Sequence, residues 1–474
     1  DSASTEMGGP NDLLIVVRAE SDEAADTAMQ TAEDGLKVRY HNKTVTQPQL
    51  RPISLEQAVQ QQPTINLALI SAPGAYAAVE ARQALLSGLH VFLFSDNVSL
   101  EQEIALKRLA VERGLLLMGP DCGTAILNGV GLGFANVVPR GPVGIVSASG
   151  TGLQQVSSLI AGYGSGISQA IGTGGRDLSQ AVGGRMMLAG LDLLQQDPET
   201  RVIVLLSKPP APEVAQRILA TATAGTKPTV IDFLGADPTT YNQLPTSHLH
   251  FASTLSDAAR QAVRLAGGEA PPLGDTLPGD ARVALQKARD ALKPGQRYVR
   301  GLFSGGTLCD EAMMVLSARL GPIYSNIPLR PNWKLDDIRT SREHTTIDFG
   351  SDEFTIGRPH PMIDAGLRLR RFAQEARDPT TAVIFLDIVL GYASHPDPAS
   401  EFAPAIERAR VAAAEEGRTL ACIISLCGAE QDPQGLSAQR ARLRQAGALV
   451  FTDNALAARA AAKIVSDLPA IERQ

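Results

Sequence analysis

Short apolar runs alternate along this chain with longer amphipathic stretches, and turns separate them. Seven runs have the length and density of buried strands: Leu13–Val17, Leu67–Ser71, Val91–Ser95, Leu115–Met118, Val143–Val146, Val202–Leu206 and Val230–Phe233. Stretches of helical period lie between many of them. Near-continuous apolar strands alternating with helices predict parallel sheets covered on both faces, the doubly wound α/β class. The helix after Ser99 shows the local logic. Ser99 and Gln102 form a Ser-x-x-Gln capping box, Glu103 and Lys107 stand at i,i+4, and Gly114 sits where a helix stops.

Turn residues divide the pattern. Pro139-Arg140-Gly141-Pro142 separates one βα series from the next, and the Gly- and Pro-rich stretch from Gly267 to Pro294-Gly295 reads as a linker holding a charged helical piece, Ala281–Leu292. The expected domains are 1–138; 139–268, a flavodoxin-like domain; 269–294, the linker; and 295–474, a second flavodoxin-like domain. The two flavodoxin-like domains share a plan. Each opens with a strand, a glycine turn and a helix: Val146-Ser147-Ala148-Ser149-Gly150-Thr151-Gly152, then Phe303-Ser304-Gly305-Gly306-Thr307-Leu308. This weak internal repeat predicts two such units facing each other.

Composition narrows the function. The 474 residues carry 43 Lys+Arg against 50 Asp+Glu, a net charge of −7, with one Trp and 4% aromatic residues. A mildly acidic chain without a basic block, poor in aromatics, lacks the footprint of a nucleic-acid binder. No run reaches ~18 apolar residues, so no transmembrane helix is expected. No signal peptide is evident either, although the chain begins at Asp1 rather than Met. Four scattered cysteines, Cys122, Cys309, Cys422 and Cys427, form no C-x-x-C pair and read as reduced thiols of a cytoplasmic protein.

Three segments carry candidate chemistry. Ser149-Gly150-Thr151-Gly152 follows a buried strand and opens a helix, so free backbone N–H groups and the helix dipole make an anion site. It is not a Walker A loop, because no Gly-Lys-Ser/Thr follows. Gly172-Thr173-Gly174-Gly175-Arg176-Asp177 repeats the arrangement and adds a guanidinium able to grip an oxyanion; a surface Arg–Asp pair is the alternative. Gly357-Arg358-Pro359-His360-Pro361 precedes a helical stretch, which would set Arg358 and His360 at a helix N-terminus; a structural turn is the alternative. Lys208 ends a strand, where open α/β sheets bind ligands. Cys122 is better read as a small buried residue than as a nucleophile. His344, Asp348, His395 and Asp397 have metal-binding side chains at spacings that fit no zinc pattern, and no metal is expected.

These residues resemble a known family. Met118-Gly119-Pro120-Asp121-Cys122, Gly144-Ile145-Val146-Ser147-Ala148-Ser149-Gly150-Thr151 and Gly172–Asp177 resemble segments of the alpha chain of succinyl-CoA synthetase. Ser304-Gly305-Gly306-Thr307-Leu308 resembles the glycine turn in the C-terminal domain of its beta chain. The fused arrangement without an ATP-grasp domain is similar to the FdrA family of predicted acyl-CoA synthetases. Phe94-Ser95-Asp96-Asn97-Val98, Ser207-Lys208-Pro209-Pro210-Ala211 and Gly357–Asp364 look specific to that family.

The resemblance implies that 1–138 is a Rossmann-like CoA-binding-type domain, and that two facing helix N-termini bind phosphate, one after Ser149–Gly152 and the other near Arg358–Asp364. It implies phosphate-binding roles for Ser149, Gly150, Thr151, Gly152, Gly174, Gly175, Arg176, Gly305, Gly306 and Thr307. Catalytic roles would fall to His360, Lys208 and Arg358, and cofactor contacts to Ser95 and Asn97. The synthetase's phosphorylated His, in a Gly-His-Ala-Gly segment, has no counterpart: Thr246-Ser247-His248-Leu249-His250 stands in that region. Lys208 replaces the Glu that supports it. The expectation is therefore a cytoplasmic subunit of an acyl-phosphate or carbamoyl-phosphate transfer enzyme, of the oxamate carbamoyltransferase type implied for purine (allantoin) nitrogen breakdown, working with partner subunits and with itself in a homo-oligomer. No cofactor is certain; CoA and carbamoyl phosphate are the candidate ligands. The alternatives are an acyl-CoA synthetase subunit that binds CoA, and a non-catalytic scaffold with an anion pocket. The stretch Arg18-Ala19-Glu20-Ser21, where a G-x-G-x-x-G turn would stand, counts against a synthetase-like CoA site in domain one.

Overall fold

A computed structural model describes residues 17, 19, 21–37, 52–236, 247–272, 277 and 279–466. Of the expected strand Leu13–Val17, all but Val17 lies outside the described residues. Two units are distinct, 1–61 and 62–474. Within the described part of the first stand helices α1 (Asp22–Lys37) and α2 (Leu55–Gln61).

Among its described residues the second unit contains three sheets. The first has three parallel strands, β1 (Leu67–Ile70), β2 (His90–Leu93) and β3 (Leu117–Met118), joined by α3 (Gly74–Leu86) and α4 (Leu100–Glu112). The Ser99 capping box is present: its hydroxyl accepts from Gln102 N and its backbone N–H donates to Gln102 Oε1. Gly114 ends that helix at φ +66°, a conformation costly for any residue with a Cβ.

The second sheet contains β4 (Thr124–Leu127), β5 (Val130–Gly133), β6 (Arg140–Ser147), β7 (Ile167–Gly172), β8 (Val202–Ser207), β9 (Thr229–Phe233) and β10 (Leu249–Phe251). Its order is β10-β9-β8-β6-β7-β4-β5. From β6 onward the strands are parallel and run 2-1-3-4-5, the flavodoxin order. β4 and β5 form an antiparallel hairpin upstream of the turn at 139–142, yet belong to this sheet. Between them Asn128 (φ +51°) and Gly129 (φ +79°) make the two-residue Asn-Gly turn that suits a twisted hairpin. The associated helices are α5 (Gly150–Gly162), α6 (Arg185–Gln196), α7 (Pro212–Ala224) and α8 (Leu255–Leu265).

After α9 (Gly279–Asp290), inside the expected linker, the third sheet repeats the same order with one extra edge strand: β12-β13-β11-β14-β15-β16. Its elements are β11 (Tyr298–Phe303), α10 (Gly306–Leu320), β12 (Tyr324–Ser325), β13 (Thr345–Asp348), α11 (Asp352–Thr355), α12 (Gly366–Arg377), β14 (Thr381–Val389), α13 (Pro398–Glu415), β15 (Ala421–Cys427), α14 (Leu436–Gln445), β16 (Leu449–Phe451) and α15 (Asn454–Val465). All its pairings are parallel. Thus α5 and α10 each follow the first strand of a 2-1-3-4-5 sheet, as the internal repeat predicts.

One apolar core runs through both flavodoxin-like sheets, from Val143, Ile145 and Leu153 to Phe303, Leu308 and Phe385. α5 is buried along Thr151–Ile160 because it lies between the two. Polar contacts fix their facing. Asn136 Nδ2 donates to Asp432 Oδ2 at 2.7 Å, Gln155 Nε2 donates to the Thr452 carbonyl at 2.8 Å, and Arg260 pairs with Asp453 at 2.9 Å. The first sheet is tied on by a buried charge cluster in which Lys107 Nζ meets Glu103 (2.8 Å), Asp177 (2.9 Å) and the Thr173 carbonyl (2.9 Å). Such a cluster holds register because each charge is costly to leave unpaired. Among the described residues no helix is long and apolar enough to cross a membrane.

Candidate functional site

The C-terminal ends of all three sheets meet around one cavity of about 890 Å³. Open α/β sheets bind ligands at this end of the strands, where the order reverses. Ser71 and Ser95 come from the first sheet, Ser149–Thr151 and Lys208 from the second, and Ser304–Thr307, Asp348 and His360 from the third.

The centre of the wall is the meeting of two helix N-termini, those of α5 and α10. Ser149 caps α5: its hydroxyl accepts from Gly152 N at 2.9 Å and lies 2.5 Å from the Thr307 hydroxyl on α10. A Cβ on Gly305 would lie 2.6 Å from Thr151 Cγ2, so glycine is what lets the ends touch. Free N–H groups and two converging positive helix ends favour a bound anion. The α10 turn is itself braced by a carboxylate. Asp387 accepts from Ser304 N (2.7 Å) and Gly305 N (2.9 Å), while the buried Arg368 holds Asp387 Oδ1 at 2.7 Å and the Leu302 carbonyl at 2.9 Å.

Lys208 reaches this junction and pairs with Asp310 of α10 at 2.6 Å. Burial alone would lower its amine; Asp310, with Asp348 and Cys309 adding to it, more than reverses that, so it stays a cation. Asp348, at the end of β13, is only 6% exposed. Its Oδ1 accepts from Gly350 N at 2.9 Å. A Cβ on Gly306 would lie 2.9 Å from its Oδ2 and 3.7 Å from Lys208 Nζ. Burial pushes this carboxyl up to about 7, against the Gly350 N–H and Lys208.

His360 differs from expectation. The segment 357–365 is not a helix start: α12 begins at Gly366, and the His360 carbonyl instead closes a turn by accepting from Ile363 N (2.8 Å) and Asp364 N (3.1 Å). The facing helix end is therefore α10, not Arg358–Asp364. His360 still lines the cavity, against the Phe134 ring, as does Arg358. Burial, with Arg368, lowers its imidazole to about 4. Its Nδ1 accepts from Met362 N at 3.2 Å, so in the neutral ring the hydrogen sits on Nε2. His360 can donate a hydrogen bond from Nε2, but its lone pair is engaged and it stays uncharged near neutrality.

The remaining expected residues divide. Gly150, Gly175 and Ser95 line the cavity. Gly152 is the third residue of α5, where a Cβ would lie 2.6 Å from Ser149 Oγ. Gly174 (φ +84°) lies against the Pro120 carbonyl, where a Cβ would be 2.3 Å away, and serves the turn. Arg176 turns away to Glu103 (2.8 Å) and the Val98 carbonyl (2.7 Å), a structural role that corrects the phosphate contact. Asn97 (φ +55°) is absent from the cavity lining; its backbone lies against Gly74, so its expected cofactor contact is also corrected. Burial raises the Cys122 thiol to about 12, in keeping with an inert residue. His344 Nδ1 accepts from Val299 N at 3.2 Å.

Sequence reasoning missed the carboxylates of the cavity wall. Asp121, recessed but open to solvent, is raised to about 6 by burial and by Asp96 and Asp352. Asp348 entered only as a metal candidate. Its position at the last residue of a strand was the available signal.

The description "CoA binding domain" matches residues 140–235, on the second sheet, and "CoA-ligase" matches residues 302–464, on the third. The stretch 1–138 lies outside both. The alpha subunit of ADP-forming succinate–CoA ligase from Aquifex aeolicus is 29% identical over 149 residues, 30% of this chain and 48% of that subunit, so the chain spans about half of it. Among solved structures, apo dinucleotide-forming acetyl-coenzyme A synthetase 1 of Ca. Korarchaeum cryptofilum is 16% identical, covering 84% of this chain and 82% of its own at a TM-score of 0.31. CoA-binding and CoA-ligase domains on doubly wound sheets define a succinyl-CoA synthetase-like protein. Within that class, the uncharacterized protein YahF of Escherichia coli K12 is 45% identical over 449 residues, 95% of this chain and 86% of its own. The chain belongs to the YahF family.

Proposed function

We propose that the chain is an enzyme subunit that binds the phosphate of an acyl or carbamoyl phosphate between the N-termini of α5 and α10. On this reading it transfers the carbamoyl group between phosphate and an amide nitrogen, as the FdrA-type resemblance implies, with partner subunits. The observation that carries the reading is the direct apposition of Ser149 and Thr307 at two helix ends, with Lys208 beside them. Such preorganised donors stabilise phosphate as it leaves or attacks. The engaged Nδ1 of His360 is a second support, because a phosphoryl carrier needs an imidazole with a free lone pair.

In the step, the carbamoyl phosphate dianion and a primary amide give the N-carbamoyl amide and the hydrogen phosphate dianion. The carbonyl carbon loses its bond to the phosphate oxygen and gains one to nitrogen. One proton passes from that nitrogen to the phosphate. His360 Nε2–H polarises the carbonyl, and Lys208 and the helix ends hold the phosphate.

A second reading, an acyl-CoA ligase subunit, is favoured by the CoA binding domain match at 140–235. Isothermal titration with phosphate, carbamoyl phosphate and CoA separates the two, repeated on Lys208→Ala. Carbamoyl phosphate binding that weakens roughly tenfold in the variant, a loss of one charge-assisted contact, supports the transferase. Saturable CoA binding that Lys208→Ala leaves unchanged supports the ligase. No heat with any ligand leaves a scaffold and refutes both.

A further inference from the structure

The transfer just proposed moves a proton as well as a carbamoyl group, and a group must carry it. Asp96, Asp121, Asp352 and Glu353 line the cavity, but the charged neighbours of Asp121 are Asp96, Asp352, Arg176 and Glu103, not the Lys208 that faces the proposed phosphate. His360 is neutral with its lone pair engaged. Lys208 is held as a cation by Asp310. The Ser149 and Thr307 hydroxyls are bonded to each other, and Ser304 Oγ is bonded to Asp387. Cys122 and Cys309 are buried thiols raised by that burial.

Asp348 is different. Its Oδ1 is fixed by Gly350 N, its backbone N–H donates to Asn326 Oδ1 at 2.9 Å, and the Asn326 amide in turn holds the Asp348 carbonyl at 3.0 Å. Its Oδ2 has no such bond and stands at the first residue of α10, on the cavity wall, where the phosphate is proposed to lie. The charged and titratable groups around it are Lys208 after β8, Asp310 and Cys309 on α10, Asp387 on β14, Arg368 on α12 and His360 in the 357–365 turn.

The geometry points to Asp348 as the catalytic acid–base residue of the site, its Oδ2 relaying one proton between the phosphate oxygen and the amide nitrogen. This rests on the transferase reading. In the forward direction, as nitrogen attacks the carbonyl carbon, Oδ2 takes the proton that nitrogen loses and gives it to the departing phosphate, which leaves as the hydrogen phosphate dianion. In reverse, phosphate attacks an N-carbamoyl amide, Oδ2 takes the phosphate hydroxyl proton, and the nitrogen leaves with it. The substrate class is thus an N-carbamoyl amide that phosphate can cleave. Burial that raises the carboxyl to about 7 puts both of its forms near neutral pH, where a relay works best.

The test compares the enzyme purified together with its partner subunits, wild type against Asp348→Asn and Asp348→Glu. Carbamoyl phosphate affinity is measured by titration, and turnover is measured with carbamoyl phosphate and oxamate as the probe amide. Asn keeps the shape and the Gly350 contact but cannot exchange the proton. The expected result is affinity within threefold of wild type, turnover lower by at least a hundredfold, and a partial return in Asp348→Glu with a shifted pH profile. Wild-type turnover that survives in Asp348→Asn overturns the role of Asp348 and leaves the transferase reading standing. Wild-type protein that does not bind carbamoyl phosphate, or binds it without transfer, overturns both.

Discussion

Replacing Arg368 with methionine tests how the proposed anion site is held up. Arg368 is 2% exposed, and it ties Asp387 Oδ1 and the Leu302 carbonyl together beneath the glycine turn of α10. Asp387 passes that support on through Ser304 N and Gly305 N. Methionine fills much of the volume but leaves the carboxylate buried without its cation, a loss of ~3–5 kcal/mol. With unfolding entropy of ~2.1 cal/mol/K per residue, a cooperative unit of about 400 residues loses roughly 4–6 °C in Tm.

The sign with pH follows. Burial already pushes the Asp387 carboxyl up, against Arg368 and the Ser304 and Gly305 groups, and removing Arg368 pushes it further. A carboxyl protonated in the fold and ionised in the unfolded chain stabilises less as pH rises. The Tm deficit is therefore larger at pH 8 than at pH 5.5. Scanning calorimetry at both pH values, with phosphate titration alongside, reads stability and site together. Arg368→Met/Asp387→Asn removes both charges and recovers at least half the deficit. A single variant melting within 1 °C of wild type, or a double variant no better than the single, refutes the reasoning.

Three further outcomes are expected. Gly305→Ala sets a methyl 2.6 Å from Thr151 Cγ2, prises the two helix ends apart and weakens phosphate binding at least fivefold by calorimetric titration; unchanged affinity contradicts the apposition. The His360 ring titrates near 4, so its NMR shifts stay flat from pH 5.5 to 8, and a midpoint near 6.5 disproves its burial. Glu311 is raised from 4.5 to about 7 by burial, so it is neutral in the fold between those values. Its contribution is greatest below pH 4.5 and is lost as pH rises to about 7, on the order of 3 kcal/mol. Urea unfolding at pH 5 and 8 shows this fall in wild type and not in Glu311→Gln; equal slopes in both exclude it.

The elements legible in the sequence were those whose meaning is local. Strand, glycine turn and helix lie within a dozen residues at Ser147–Gly152 and again at Phe303–Leu308, so both glycine turns could be read directly. The capping box at Ser99 was equally local. The hairpin of β4 and β5 carried its own signal, Asn128-Gly129, but its apolar residues were too few to stand out. Arg176 shows the limit. A guanidinium after a glycine turn reads as an anion ligand until Glu103, more than seventy positions earlier, is seen to claim it. Asp348 is the converse: its acidity depends on burial against α10, which no spacing rule encodes. Arg358–His360 failed because proline at a helix start and proline in a tight turn leave the same trace in sequence.

The convergence of three sheets on one cavity makes any occupant a keystone. A ligand that touches Ser95, Ser149 and Asp348 at once binds only when all three sheets are docked. By mass action, occupancy at ~100 times Kd adds roughly 2.7 kcal/mol to the docked arrangement alone. Affinity at this site is therefore also a gauge of assembly. A substitution at the Asn136–Asp432 or Lys107–Asp177 joints, remote from any ligand atom, will register as weaker binding, and substrate will protect those joints from proteolysis.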